Sequence, residues 1–104
     1  MEGSGLHIIS RRTLREFWDQ YPDAQEPLNE WFKAASRATW QNIAEVKQMY
    51  SHADAAGECT IFNIRGNNYR LIVKIRYDKQ TMYIRFVLTH VEYTKEKWKN
   101  DCNC

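Results

Sequence analysis

A chain of 104 residues, 43% of them hydrophobic and 27% charged, has room for one domain and one core, which excludes a multidomain enzyme and an intrinsically disordered protein. No apolar run approaches the roughly 20 residues that span a bilayer, and no charged-then-apolar leader marks secretion. The expectation is a soluble, cytoplasmic protein with no membrane partner. The net charge of +2 hides an asymmetry: Arg11 to Glu58 hold six basic and eight acidic residues, whereas Ile61 to His90 hold six basic residues against the single acid Asp78. The second half is therefore expected to face an anion.

Met1 to Gly5, reading MEGSG, has the small, polar composition of a disordered or vector-derived leader and is set apart from the fold. The domain is expected over residues 6–94, with a polar, basic tail over 95–104. Leu6 to Ile9 suits a short strand, and Ser10 is placed to cap a following helix. There Leu14, Phe17, Trp18 and Tyr21 fall at i, i+3, i+4 and i+7, one apolar stripe. Pro22 ends that helix. Leu28, Trp31, Phe32 and Ala35 repeat the spacing in a second, where Pro27 is tolerable near the start. Asn42 to Glu45 has the spacing of a variant capping box before a third, shorter helix carrying Val46, Met49 and Tyr50. These stripes read as core rather than as a cofactor box.

After the small, polar stretch from Ser51 to Gly57 the period changes from helical to alternating, in three runs: Cys59 to Arg65, Tyr69 to Tyr77 and Met82 to Leu88. Short, turn-prone links at Gly66-Asn67-Asn68 and Asp78-Lys79-Gln80-Thr81 make them antiparallel neighbours. The expected fold is α+β, with the N-terminal strand and helices packed on one face of a small antiparallel sheet.

Alternation sends Phe62, Ile64, Leu71, Val73, Ile75, Ile84, Phe86 and Leu88 toward the helices. The opposite face then carries Asn63, Arg65, Arg70, Lys74, Arg76, Tyr83 and Arg85, without an acid and without a covering helix. Strands about 4.8 Å apart let such cations converge on one phosphate or on successive phosphates. The blander reading is a basic sheet surface that resists aggregation. Directly after the last strand, His90 and Tyr93 stand three residues apart at the rim of this face. An imidazole titrates near neutrality and a phenol can donate or accept a proton; a lone histidine is more often a structural hydrogen-bonding residue.

Cys59, Cys102 and Cys104 are an odd set, two of them in the polar tail, and reduced thiols are the expectation. His7, His52 and His90 are scattered, and the Cys-x-Cys ending has no second pair, so neither a metal site nor any cofactor is expected.

Three segments together resemble the HigB toxins of bacterial toxin–antitoxin modules, a branch of the RelE superfamily: the opening Leu6-His7-Ile8-Ile9-Ser10, the stretch FNIRGNNYRLIVKI from Phe62 to Ile75, and YIRFVLTHVEY from Tyr83 to Tyr93. The resemblance implies a RelE-like fold, cleavage of messenger RNA on the ribosome, and neutralisation by a HigA-like helix-turn-helix antitoxin, with operator DNA engaged only through that antitoxin. Tyr69-Arg70-Leu71 resembles the strand whose arginine contacts the scissile phosphate. His90 matches the histidine of a Thr-His-x-Glu-Tyr signature, and Tyr93 is similar in position to the C-terminal tyrosine of such toxins. Thr94 departs from the aspartate common at that place, and the cysteine-ended tail is unusual. ParE-like members of the superfamily poison gyrase and cut no RNA, so a non-catalytic gyrase inhibitor or RNA-binding module is the alternative.

On the toxin reading the reaction is a metal-independent transesterification. The ribose 2′-oxygen attacks the adjacent phosphorus and leaves a 2′,3′-cyclic phosphate and a 5′-hydroxyl. His90 or Tyr93 supplies base or acid; Arg70, with Lys74 and Arg85 as weaker candidates, stabilises the added charge. Asn63, Arg65 and Arg76 are candidates to bind RNA, and Tyr83 to stack on a base.

Overall fold

The computed structural model describes residues 5–104. Its elements run β1 (His7–Ile9), α1 (Arg11–Gln20), α2 (Gln25–Arg37), α3 (Ile43–Met49), β2 (Asp54–Ala56), β3 (Cys59–Ile64), β4 (Tyr69–Arg76), β5 (Thr81–Thr89), α4 (His90–Thr94) and α5 (Lys99–Cys102). The architecture is α+β. No described helix is long and apolar enough to cross a membrane.

The helices form where the apolar stripes lie. Leu14 of α1 and Leu28, Trp31 and Ala35 of α2 are buried, with Phe17, Trp18, Tyr21 and Phe32 packed at the margin. Ser10 is the N-cap of α1 by position, but its side chain makes no capping bond. Tyr21, ahead of Pro22, has left the helical region at φ −127° and ψ 79°, as the steric demand of the proline ring requires. Pro27 sits in the first turn of α2, where its missing N–H removes no helical bond. At α3, Asn42 Oδ1 accepts from the Glu45 amide at 3.1 Å, and Glu45 Oε1 accepts from the Gln41 amide at 3.0 Å. That completes the variant capping box one residue early.

The sheet order is β1-β5-β4-β3-β2. The three long strands form the expected antiparallel meander. β1 joins β5 in parallel, pairing Ile8 with Met82, and the intervening helices and strands supply the long crossover that a parallel pair needs. β2, inside the stretch that read as a loop, pairs antiparallel with the start of β3.

One irregularity changes which side chains face the core. Ile72 pairs with Phe86 while Val73 pairs with Ile84, which leaves Arg85 as an unmatched bulge residue. An extra residue inverts the in-out phase of everything after it. Val87 therefore points into the main core, and Phe86 and Leu88, expected on the helical face, lie on the other side.

That other side is not bare. Cys59, Ile61, Ile72, Trp98 and Cys102 form a second buried cluster, with Phe86, Leu88 and Tyr93 against it. The C-terminal segment supplies its lid, and a disulfide between Cys59 and Cys102 fastens it; this corrects the expectation of reduced thiols for these two, whereas Cys104 is free. A polar tail organises a bridge here because Trp98 and Cys102 are its buried residues. Two glycines permit close approaches. At Gly57, with φ +57°, a Cβ would collide with the Cys102 carbonyl oxygen, and at Gly5, with φ +107°, with that of Ser36. Gly5 thus packs on the C-terminal end of α2, while residues 1–4 of the leader lie outside those described.

Candidate active site

Arg70, on β4, faces the side away from the main helices, directly opposite Asn63 of β3. It is only 8% exposed. Its Nη1 donates to the carbonyls of Asn67 at 3.0 Å and Tyr69 at 3.2 Å, and its Nη2 to Asn67 Oδ1. These acceptors are neutral. Among the described residues no carboxylate pairs with this guanidinium, so its positive charge is held in place but not cancelled.

The Tyr93 ring lies over it, 5.0 Å from the guanidinium carbon to the ring centroid. The signature Thr89-His90-Val91-Glu92-Tyr93 explains why. Thr89 Oγ1 accepts from the Glu92 amide at 3.2 Å, and Glu92 Oε1 accepts from the Thr89 amide at 3.0 Å. This capping box turns the strand end into α4. His90 and Tyr93 then fall at i and i+3 on one face of that turn. The His90 amide donates to the Asn68 carbonyl at 3.2 Å, which ties α4 to the β3–β4 turn that carries Asn67. Neither the imidazole nor the Tyr93 hydroxyl makes a hydrogen bond among the described residues. Trp98 stacks on the Tyr93 ring, with centroids 5.1 Å apart.

The remaining predicted cations are engaged elsewhere. Arg85 forms a two-pronged pair with Asp101, both contacts 2.8 Å; the hydrogen bonds and the opposite charge raise Arg85 above the usual arginine range and hold Asp101 below the usual carboxylate range. Lys74 lies 3.6 Å from Glu58 and 3.9 Å from Asp101, and it stands four residues along the strand from Arg70, about 13 Å. Arg76 pairs with Asp78 at 3.2 Å. Arg65 has φ 52°, which takes it out of the strand alternation, and it pairs at 3.4 Å with Asp23, the residue that accepts from the Tyr69 hydroxyl. That bond, with burial, raises Tyr69 above the usual phenol range. Tyr83 is exposed opposite Lys74, toward the other end of the strands.

An acid-free face is therefore not what the fold presents. Glu58 and Asp101 supply carboxylates from just before the first long strand and from the tail. The structure brings Arg70, Asn63, His90 and Tyr93 to one end of the sheet and leaves Lys74, Arg76, Tyr83 and Arg85 toward the other. Asn67, Trp98 and the Thr89–Glu92 box escaped the sequence reading. The last was legible, since Thr-x-x-Glu is itself a helix-start signal. Cys59, Asp101 and Cys102 lie close enough to suggest a metal trio, but the two sulfurs are bonded to each other and Asp101 is paired with Arg85.

The HigB-toxin family, described as the RelE-like toxic component of a toxin-antitoxin system, matches residues 24–96. The match takes in Asn63, Arg70, His90 and Tyr93 and stops short of Trp98 and Asp101. The chain is similar to the mRNA interferase toxin HigB of Escherichia coli strain K12, 24% identical over 91 residues that cover 85% of this chain and 88% of that protein. It is equally similar to the mRNA interferase HigB of Shigella flexneri, and 22% identical over 93 residues to that of Escherichia coli O6:H1, covering 86% and 90%. With the family matched over most of its length, this chain belongs to the HigB toxins, the RelE-like toxic components of toxin–antitoxin systems.

Proposed function

We propose that this toxin is an mRNA interferase, a cytoplasmic endoribonuclease that cuts messenger RNA on the ribosome without a cofactor. The observation that supports it best is the Arg70 guanidinium, fixed by neutral acceptors and lying beneath Tyr93, with His90 on the same short helix. A buried cation without a counterion is a receptor for an anion, and a scissile phosphate meets that need. Asn63 stands beside it to orient the nucleotide.

The 2′-oxygen attacks phosphorus and the P–O5′ bond breaks. One member of the His90 and Tyr93 pair removes the 2′-hydroxyl proton, and the other protonates the departing 5′-oxygen. Arg70 stabilises the extra negative charge of the phosphorane, a contribution of about 3–4 kcal/mol for a preorganised donor. Lys74, Arg76 and Arg85 reach RNA backbone farther along the face once an anion competes with Glu58, Asp78 and Asp101; Arg65 and Tyr83 flank it. A HigA-like helix-turn-helix antitoxin would silence the toxin by covering the Arg70–Tyr93 end, and operator DNA is reached through that partner alone.

Purified toxin on programmed ribosomes tests the reading. The expected products carry a 2′,3′-cyclic phosphate and a 5′-hydroxyl, with new RNA 5′ ends in cells only during translation. Growth arrest with intact messages and inhibited DNA supercoiling would establish the non-catalytic alternative instead.

A further inference from the structure

A cleft beside Arg70 shares only Asn63 with the chemistry above. It lies between the C-terminal end of α3 with the turn that follows, and the β3–β4 turn; Met49, Tyr50, His52, Asn63, Gly66 and Asn67 are among its lining residues. The sheet topology leaves it open. β2 pairs with β3 only as far as Ile61, so the outer edge of β3 next to Asn63 carries no strand. The chain instead turns back toward α3, where the Ala53 amide donates to the Tyr50 carbonyl at 2.9 Å.

The walls differ in chemistry. Tyr50 gives a fixed aromatic surface, its ring 5.3 Å from Phe62 and 6.2 Å from Trp40. Met49 is 54% exposed, an unusual state for a large apolar side chain on a short helix. Gly66 leaves the cleft unobstructed, since a Cβ built there meets nothing within 4 Å. Around this apolar floor stand the Asn63 amide and the His52 imidazole, neither hydrogen-bonded through its side chain among the described residues. Among the described residues no carboxylate lines the cleft. A flat heterocycle with a hydrogen-bonding edge fits such a site: its face meets methionine and tyrosine, and its edge meets an amide and an imidazole.

Asn67 joins the cleft to the proposed reaction centre. It lines the cleft while its main-chain and side-chain oxygens hold Arg70. Asn63, directly across the ladder from Arg70, has its Cα about 5 Å away, a separation within one nucleotide. We propose that this cleft is a nucleobase subsite for the nucleotide adjoining the phosphate at Arg70, with Asn63 and His52 reading the base edge and Met49 covering its face. The assignment rests on Arg70 as the phosphate-binding residue. It makes the cleft the source of base preference at the cut.

Titration of the full chain with the four 5′-mononucleotides, followed by amide NMR, tests binding without requiring cleavage. Inorganic phosphate and ribose 5-phosphate serve as controls. The expected result is shifts at Ser51 to Ala53, Asn63 and Gly66 to Asn67 with nucleotides only, and shifts around Arg70 with all of these compounds. Met49→Ala and His52→Ala, both at exposed positions, should weaken nucleotide binding at least five-fold and leave the phosphate response intact. In mapped cleavage sites the same variants should alter base composition beside the cut several-fold. Shifts confined to the Arg70 region, or unaltered base composition in both variants, overturn the subsite. If nucleotides mark the cleft but the parent cuts no RNA, the subsite stands and the ribonuclease reading falls.

Discussion

Trp98 lies face to face with Tyr93, their planes 6° from parallel, and its indole N–H donates to the Tyr93 carbonyl at 3.0 Å. A residue beyond the family match thus sets the position of one inside it. Trp98 is 5% exposed, so Trp98→Ala should cost about 3–5 kcal/mol and free the Tyr93 ring from its place over Arg70. Trp98→Phe keeps a stacking ring and loses the hydrogen bond, and should cost less. Urea unfolding read beside cleavage rate checks both. Wild-type stability in Trp98→Ala would show that the stack carries no packing energy.

Arg70→Lys separates charge from geometry. Lysine retains the cation, but a single ammonium on a flexible stem cannot reproduce the fork that holds the Asn67 and Tyr69 carbonyls. Cleavage should fall about 10²- to 10³-fold, with a smaller change in the unfolding midpoint. Because Arg70 is buried, Arg70→Ala removes packing as well as charge and is the less informative variant. A lysine enzyme as fast as the parent would mean that only charge matters at this position.

The Cys59–Cys102 bridge spans 43 residues. Closing a loop of that size stabilises a fold by about 2–4 kcal/mol, so Cys102→Ser, or treatment with a dithiol, should lower the unfolding midpoint and raise the solvent exposure of Trp98. Tryptophan fluorescence against denaturant, with and without reductant, measures the midpoint, and the same readings on Trp98→Phe assign the change in exposure to Trp98 among the four tryptophans. A midpoint insensitive to reductant in the parent would indicate that the Trp98 cluster holds the tail without the bridge.

Asp101 links the tail to pH. The Arg85 fork holds its carboxyl below the usual range, so the folded value lies under the unfolded one of about 3.9. Its contribution is therefore complete above that unfolded value and is lost as pH falls through the folded one. The tail should loosen in acid below about pH 4, and Asp101→Asn should flatten that part of the stability profile while leaving neutral pH already weakened. An unchanged acid limb in Asp101→Asn would assign the sensitivity to other carboxylates.

The stripes of α1 and α2 and the meander of β3 to β5 were legible because burial imposes periods of 3.6 and 2 on a sequence. That same period placed Asn63 and Arg70 on one face. It failed at Arg85, where a bulge carries no glycine to announce it and inverts the phase for Phe86 and Leu88. It also failed at the tail, where Trp98 and Cys102 are isolated apolar residues among polar ones and no period reveals their burial. Lys74 and Arg85 looked unpaired because their acids, Glu58 and Asp101, lie outside the strand run that carries them. Local sequence carries no record of that pairing.

The proposed acid–base pair admits unusually clean variants. Tyr93→Phe keeps the ring, hence both the Trp98 stack and the contact with Arg70, and removes only a hydroxyl that bonds to no described residue. His90→Gln changes an exposed side chain and leaves the amide bond to Asn68 in place. Neither should unfold the protein or much weaken RNA binding, because on the proposed reading the phosphate contacts fall to Arg70 and the other cations rather than to these two side chains. General acid–base help is worth about 10²- to 10⁴-fold in rate, so each variant should cut that much more slowly. Single-turnover cleavage on programmed ribosomes at saturating toxin isolates this loss, since weakened binding disappears at saturation and slowed chemistry does not. If both variants cut at the parental rate there, proton transfer belongs to neither residue, and a cation on the same face, with Lys74 first in line, must carry it.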